Sequence, residues 1–150
     1  MKRQLLKLFG LAALSGCAQA QTKSRSVGTT KFNYTGWGID NVMVDGAWTG
    51  GVDAYSGGGK FAQGLLAPSD PNRASVLNVT WEVSGLYDIE KNTYSRTPVE
   101  QHQAKVEVAR PYPVNPDYLV LHFYPDGHVE AELEADRPKR RIPTPPGYHR

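Results

Sequence analysis

The chain has 150 residues, of which 39% are hydrophobic, and this is enough for one ordinary domain around a single core. Its charge is uneven: residues 17–136 carry nine basic against fifteen acidic side chains, whereas the last fourteen residues carry five basic ones. An acidic body argues against a nucleic-acid-binding protein, and a single cysteine excludes an internal disulfide or a cysteine-based metal cluster.

Residues 1–16 have the composition of a bacterial secretion signal. Three basic residues precede a short apolar run that ends at Leu14. This run is too short to span a bilayer. The sequence Leu14-Ser15-Gly16-Cys17 resembles the bacterial lipobox, which implies cleavage before Cys17 and lipidation of its thiol. An ordinary signal peptide, cut after Ala18 or Ala20, is the alternative.

The lipobox resemblance also predicts the location of the protein. Acyl chains on Cys17 would anchor it to a membrane, and this covalent lipid is the only non-protein group that we expect; no other cofactor is predicted. Ala18 resembles the residue that follows the cysteine in outer-membrane lipoproteins, which implies an outer-membrane protein that faces the periplasm. Residues 17–30 are polar and small after the cysteine, as in a flexible tether.

From residue 31 the pattern is that of an all-β domain. Short apolar runs alternate with Gly, Pro, Asn and Asp, and no ten-residue stretch has a helical period. The glycine-rich segment 46–59 is predicted as a loop, segment 84–102 as an exposed polar connection, and segment 60–66 as one short strand or a turn of helix. Predicted strands cover 31–35, 39–44, 76–83, 103–109, 118–124 and 128–134, with Trp81 in the core. This spacing predicts a small antiparallel β-sandwich, immunoglobulin-like or related, over residues 31–136, followed by a basic, proline-rich tail over 137–150.

The last two predicted strands determine their own register. They flank Pro125-Asp126-Gly127, a three-residue hairpin loop with glycine at its last position. If Tyr124 pairs with His128, three apolar pairs share one face and Glu130, Glu132 and Glu134 share the other. A shift of one residue would bury the glutamates, so we expect the apolar face to pack on the core and the other face to be solvated.

No residue pattern predicts catalysis. His122, His128 and Glu130 lie on one face of this hairpin, but two histidines beside glutamates are more typical of a solvated polar face than of a metal site. The sequence lacks the Gly-x-Ser-x-Gly motif that exposes a nucleophilic serine. We therefore predict no catalytic residue and no metal ligand.

Aromatic and acidic residues in the glycine-rich region are the candidates for a protein-binding face. The predicted contact residues are Trp37, Asp40, Trp48, Asp53 and Tyr55. The alternative is that the aromatic side chains only fix the loops to the sandwich.

Short motifs distributed over residues 31–134 resemble the proteobacterial lipoproteins of the domain of unknown function 3304 family. The resemblance implies an immunity lipoprotein that binds and blocks a phospholipase effector of the type VI secretion system, with that effector as its protein partner. Two alternatives remain: a structural envelope lipoprotein whose basic tail contacts anionic lipid or cell-wall material, and a hydrolase or metal-dependent enzyme. The matching motifs are Asn33-Tyr34-Thr35, Ile39-Asp40, Val44-Asp45-Gly46, Gly57-Gly58-Gly59, Trp81 and the segment 122–129, HFYPDGHV.

Overall fold

The computed structural model describes residues 24–60 and 64–149. The predicted signal peptide and Cys17 lie outside these ranges, as does the middle of segment 60–66. Within them the fold is all-β, with nine strands and no helix, which confirms the predicted fold class. The strands are β1 (Gly28–Asn33), β2 (Trp37–Val44), β3 (Ala47–Val52), β4 (Gly57–Lys60), β5 (Val76–Asp88), β6 (Thr93–Tyr94), β7 (Glu100–Glu107), β8 (Tyr118–Phe123) and β9 (Val129–Glu134).

Two sheets form the sandwich. The first sheet has the strand order β4-β1-β8-β9. In the second sheet β3 pairs with β2, and β2 pairs with β5. The other edge of β5 pairs with both β6 and β7. All pairs but one are antiparallel. The exception is β1 with β8, which run parallel from Gly28 opposite Tyr118 to Asn33 opposite Phe123. The sandwich is therefore mixed where a purely antiparallel one was expected.

The core lies between the sheets and follows the two-residue period of the strands. Val42, Val79 and Leu121 are fully buried, and Trp81 lies among them as predicted. Burying each large apolar side chain contributes about 1.5–3 kcal/mol of transfer free energy, so the inward faces supply most of the stability.

The register predicted for the last hairpin is confirmed. Phe123 pairs with Val129, Leu121 with Ala131 and Leu119 with Leu133, and these side chains face the core. The prediction for the opposite face was wrong. His122 and Val120 point away from the core yet are fully buried, because a second layer of side chains covers the outer face of β8.

The glycine-rich segment is not a loop: it contains β3 and β4. In β4 the glycines allow an unusually close approach to β1. A Cβ atom on Gly57 would lie 2.5 Å from the ring of Phe32, and one on Gly59 would overlap the carbonyl oxygen of Thr29. A Cβ atom on Gly58 would have no atom of the described residues within 4 Å. Sequence reasoning missed this strand because the reason for the glycines lies on another strand.

Two other boundaries differ from the prediction. The connection 84–102 carries the end of β5, the short strand β6 and the start of β7, and the turn before β6 is closed by the Asp88 carboxylate, which accepts hydrogen bonds from the backbone of Glu90 and Lys91. The predicted tether overlaps the folded domain, because Val27 is buried and residues 28–30 belong to β1.

Candidate functional site

A groove opens at the end of the sandwich where β8 turns into β9, and we call it the end groove. Its volume is about 430 Å³, a size that accommodates a small ligand or the side chains of a protein partner. The floor is apolar, and the rim carries aromatic, proline and histidine side chains. The floor consists of Ile39, Trp81, Val83 and Phe123, and the rim includes Trp37, Pro98, His102, Tyr124 and His128.

Aromatic packing shapes the floor. The Trp81 ring stacks on His102 with 5.5 Å between centroids, and it meets Phe123 edge-on at the same distance. His102 Nε2 lies 3.5 Å from a carboxylate oxygen of Glu100. The apolar floor is thus bordered by two polar side chains of β7, His102 and Glu100.

The hairpin loop forms one wall of the end groove. Tyr124 and His128 stack with 4.3 Å between centroids and nearly parallel planes. The carboxylate of Asp126 accepts hydrogen bonds from the backbone N–H and the Nδ1 of His128, at 3.1 and 2.5 Å. The hydrogen bond to Asp126 raises the pKa of His128 above its ordinary value, so this side chain takes up a proton more readily than an unpaired histidine.

Trp37 stands at the mouth of the end groove with 39% of its surface exposed. The backbone around it is held firmly. The Asn33 amide, which is fully buried, donates to the carbonyl of Trp37 at 2.7 Å, and the Trp37 N–H donates to the Thr35 hydroxyl at 3.1 Å. Trp37 is therefore presented by a fixed backbone and not by a flexible loop.

The structure brings only some of the five predicted contact residues together: the Asn33 amide donates to the backbone carbonyls of both Trp37 and Asp53, at 2.7 and 3.1 Å, but Trp48 lies far from them. Trp48 is 52% exposed and pairs with Met43 near the far end of β2, about 20 Å from Trp37 at the usual rise of a strand. The exposed Asp40 has a carboxylate oxygen 3.4 Å from the Ser84 hydroxyl. The exposed Asp53 accepts a hydrogen bond from Tyr94, and Tyr55 packs edge-on against Tyr148.

A second feature covers the outer face of the first sheet. Residues 137–149, which we call the tail, form no strand but dock through Arg141 onto β9, Tyr124 and Tyr34. The guanidinium donates to Glu132 at 2.7 Å, to the Tyr124 hydroxyl at 2.9 Å and to Glu130. The expectation of a solvated glutamate face is corrected by this contact.

Hydrogen bonds connect Arg141 to the buried His122. The Arg141 backbone N–H donates to the Tyr34 hydroxyl at 3.0 Å, and that hydroxyl donates to His122 Nδ1 at 2.8 Å. His122 Nε2 then lies 2.7 Å from Glu132. With these partners, a neutral His122 carries its proton on Nε2. Both ring nitrogens form hydrogen bonds within the protein, so neither is available to a metal ion.

The pKa values of this cluster follow from burial and hydrogen bonding. Burial lowers the pKa of His122 below its ordinary value, although the bond with Glu132 opposes this shift. Burial alone would raise the pKa of Glu132, but hydrogen bonds from His122 and Arg141 outweigh it and leave that pKa below the ordinary value. The cluster therefore pairs a neutral imidazole with an ionised carboxylate and a guanidinium.

The described ranges contain neither a metal site nor a membrane-spanning helix. Among residues 24–60 and 64–149, no group of three His, Cys, Asp or Glu side chains is placed to hold a metal ion. The described part of the chain also contains no helix long and apolar enough to cross a membrane.

The sequence did not predict the residues that shape the end groove and the contact of the tail with the first sheet. His102 and Pro98 both lie in segment 84–102, which the sequence predicts to be an exposed connection, and no local pattern places His102 on Trp81 or Pro98 at the groove. The contact of Arg141 could have been predicted from the sequence. Three alternate glutamates share one strand face and complement the charge of a tail rich in arginine; they are Glu130, Glu132 and Glu134.

The comparisons with known proteins give one result. A family model described as protein of unknown function (DUF3304) matches residues 32–131, more than half of the chain. The match begins in β1 and ends in β9, so it spans the sandwich and leaves the tail outside. No curated protein and no solved structure matches the chain.

Proposed function

The chain belongs to the DUF3304 family of proteins of unknown function, as the sequence motifs indicated, and we propose a function for it from what the family resemblance implies together with the end groove. We propose that it is a membrane-anchored periplasmic binding lipoprotein, without catalytic activity, that serves as an immunity protein against a phospholipase effector of the type VI secretion system. In this proposal the lipid on Cys17 anchors it to the outer membrane and the sandwich binds the effector.

The end groove is the observation that supports a binding role. Protein interfaces draw most of their energy from a few buried aromatic anchors surrounded by a rim that excludes water. The end groove offers such an arrangement, with an apolar floor around Trp81 and a half-exposed Trp37 held at its mouth. A partner that inserted an apolar side chain would cover the exposed part of Trp37 and pack against the buried Trp81.

A binding inhibitor needs no chemistry of its own. It needs a fixed surface that closes the mouth of the lipase active site, and the hydrogen bonds of Asn33 and Thr35 fix the backbone at Trp37. The acidic balance of residues 17–136 favours association with a basic surface on the partner. The tether would hold this surface at the membrane where the lipase acts.

The test compares two tryptophans on the same β2–β3 hairpin. A lipase effector encoded by a neighbouring gene is directed to the periplasm of a host strain, and survival is measured with wild type, Trp37→Ala or Trp48→Ala. Loss of a central aromatic anchor costs about 2 kcal/mol or more, so we expect Trp37→Ala to weaken effector binding by at least tenfold and to reduce protection. Trp48→Ala is the matched control and should protect as the wild type does.

If the lipase kills cells equally with and without the wild-type protein, the immunity proposal is wrong. If the wild type protects but Trp37→Ala protects equally well and is present at the same level, the binding surface lies elsewhere.

The alternative of a structural envelope lipoprotein depends on a tail that is available to lipid or cell-wall material. Two of its basic residues are instead committed to the body, since Arg141 binds two glutamates and Arg140 lies over the ring of Tyr34. These contacts support the proposed binding role over this alternative.

A further inference from the structure

The outer face of the first sheet is built as a receptor for a guanidinium group. Contacts within the body hold both carboxylates in place: His122 bonds to Glu132 at 2.7 Å, and the Tyr124 hydroxyl donates to Glu130 at 3.1 Å. His128 Nε2 is a further neighbour of Glu130, at 3.4 Å. None of these contacts involves the tail, so the face does not need the tail in order to be preorganised.

The face recognises two adjacent arginines. The planar guanidinium of Arg141 spans Glu130 and Glu132, which matches the fork of donors that arginine offers and lysine does not. The guanidinium carbon of Arg140 lies 5.1 Å from the centroid of the Tyr34 ring, within the range of a cation–π contact. An Arg-Arg pair therefore occupies two neighbouring subsites.

The tail is an imperfect occupant of this face. Arg140 Nη1 and the Tyr148 hydroxyl are buried without a hydrogen-bond partner among the described residues, and each such group costs about 1–3 kcal/mol. The tail adds no strand to either sheet, and most of its residues are exposed. Contacts of this kind allow an exchange between bound and released states.

We propose that this outer face is a docking site for a protein segment that carries two adjacent arginines, and that the tail is a strap which occupies the site until such a segment displaces it. The proposal is independent of the partner of the end groove. A tail attached to the same chain competes at a local concentration in the millimolar range, so a free segment binds weakly to the wild type and more tightly once the tail is released.

The experiment titrates a synthetic peptide with the sequence of residues 138–148, which contains Arg140 and Arg141, into the isotope-labelled mature chain carrying Cys17→Ser. Binding is measured from NMR chemical shifts of the backbone amides of β8 and β9. We expect Arg141→Ala in the protein to lower the Kd for the peptide at least tenfold relative to the unaltered tail. The same peptide with Arg141→Lys should bind at least tenfold more weakly than the original.

Two receptor variants test the recognition in the Arg141→Ala background. Glu132→Gln should abolish peptide binding, whereas Glu134→Gln, on the same strand face but outside the contacts of Arg141, should preserve it. Tyr148→Ala loosens the tail at a distance from the face and should also tighten peptide binding, which provides a second route if Arg141→Ala fails to fold.

The proposal is overturned by any of three results. The first is a folded protein with a released tail that does not bind the peptide at millimolar concentration. The second is equal binding of the arginine and lysine peptides. The third is an equal loss with Glu132→Gln and Glu134→Gln, since that would indicate attraction by overall charge.

Discussion

At the scale of single residues, two histidines on the same hairpin have opposite protonation behaviour. His122 is buried, and burial lowers its pKa; His128 is half-exposed beside Asp126, and that carboxylate raises its pKa. A lowered histidine pKa makes the folded state less stable as the pH falls below about 6.5, because the unfolded chain then binds more protons. A raised pKa has the reverse effect, with a stabilisation that is complete below about 6.5 and lost as the pH rises through the folded-state value.

The variant His128→Gln separates these two effects. Its loss of unfolding free energy relative to the wild type should be larger at pH 5.5 than at pH 8.5, because the protonated ring gains more from the Asp126 carboxylate than the neutral ring does. Urea unfolding of both proteins at the two pH values measures this difference. A loss that is independent of pH, or larger at pH 8.5, would contradict the assignment.

At the scale of elements, β4 begins with three glycines because the neighbouring strand β1 lies too close to leave room for side chains at Gly57 and Gly59. Thr29 and Phe32 of β1 fill the space that a Cβ atom would need at Gly59 and Gly57, whereas Gly58 faces open space. The periodicity of apolar residues carries no information on such a strand. Its existence depends on the pairing with β1, which begins 29 residues earlier in the chain.

Alanine substitutions at Gly59 and Gly58 of β4 form a matched pair, because only Gly59 lies against β1. Gly59→Ala forces Cβ against the backbone of β1 and should lower the free energy of unfolding by about 1–3 kcal/mol, the usual cost of overpacking. Gly58→Ala should change it little. Denaturant unfolding of the two variants measures this contrast, and equal stabilities would mean that β4 does not lie against β1 as described.

At the scale of the whole molecule, the tail links the two sheets from outside. Arg141 binds Tyr124, directly after β8, and Glu132 on β9 of the first sheet, and Tyr148 packs edge-on against Tyr87, on β5 of the second. Tyr148 also contacts Tyr55, which lies between β3 and β4. A segment that cannot fold on its own thus contributes to the stability of the domain through contacts at its two ends.

Removing the first of these contacts should have a measurable but modest cost. Arg141 is 37% exposed in its side chain, so its ion pairs are partly screened, and we expect Arg141→Ala to lower the free energy of unfolding by about 1 kcal/mol. Lys139→Ala, at an exposed position two residues earlier, is the matched control and should be close to neutral. A thermal shift of equal size for both variants would show that the tail acts only through its net charge.

The sequence by itself determined the features that depend on local order. The hairpin of β8 and β9 was predicted with its complete register, because the Pro-Asp-Gly turn and the two-residue alternation act over seventeen consecutive residues. The all-β class and the burial of Trp81 followed from the same alternation. The family also followed from the sequence, because its motifs are short and lie in the expected order.

Only the tertiary structure decided which distant residues meet. The parallel pairing of β1 with β8, the glycine strand and the docking of Arg141 each join segments whose own sequences do not specify a partner. The same holds for the end groove: five exposed residues were predicted to act together, and of these only Trp37 reaches it. Contacts between segments that are distant in the chain depend on the shape and charge of surfaces that exist only in the folded protein. Local patterns in a single sequence therefore do not predict which segments meet.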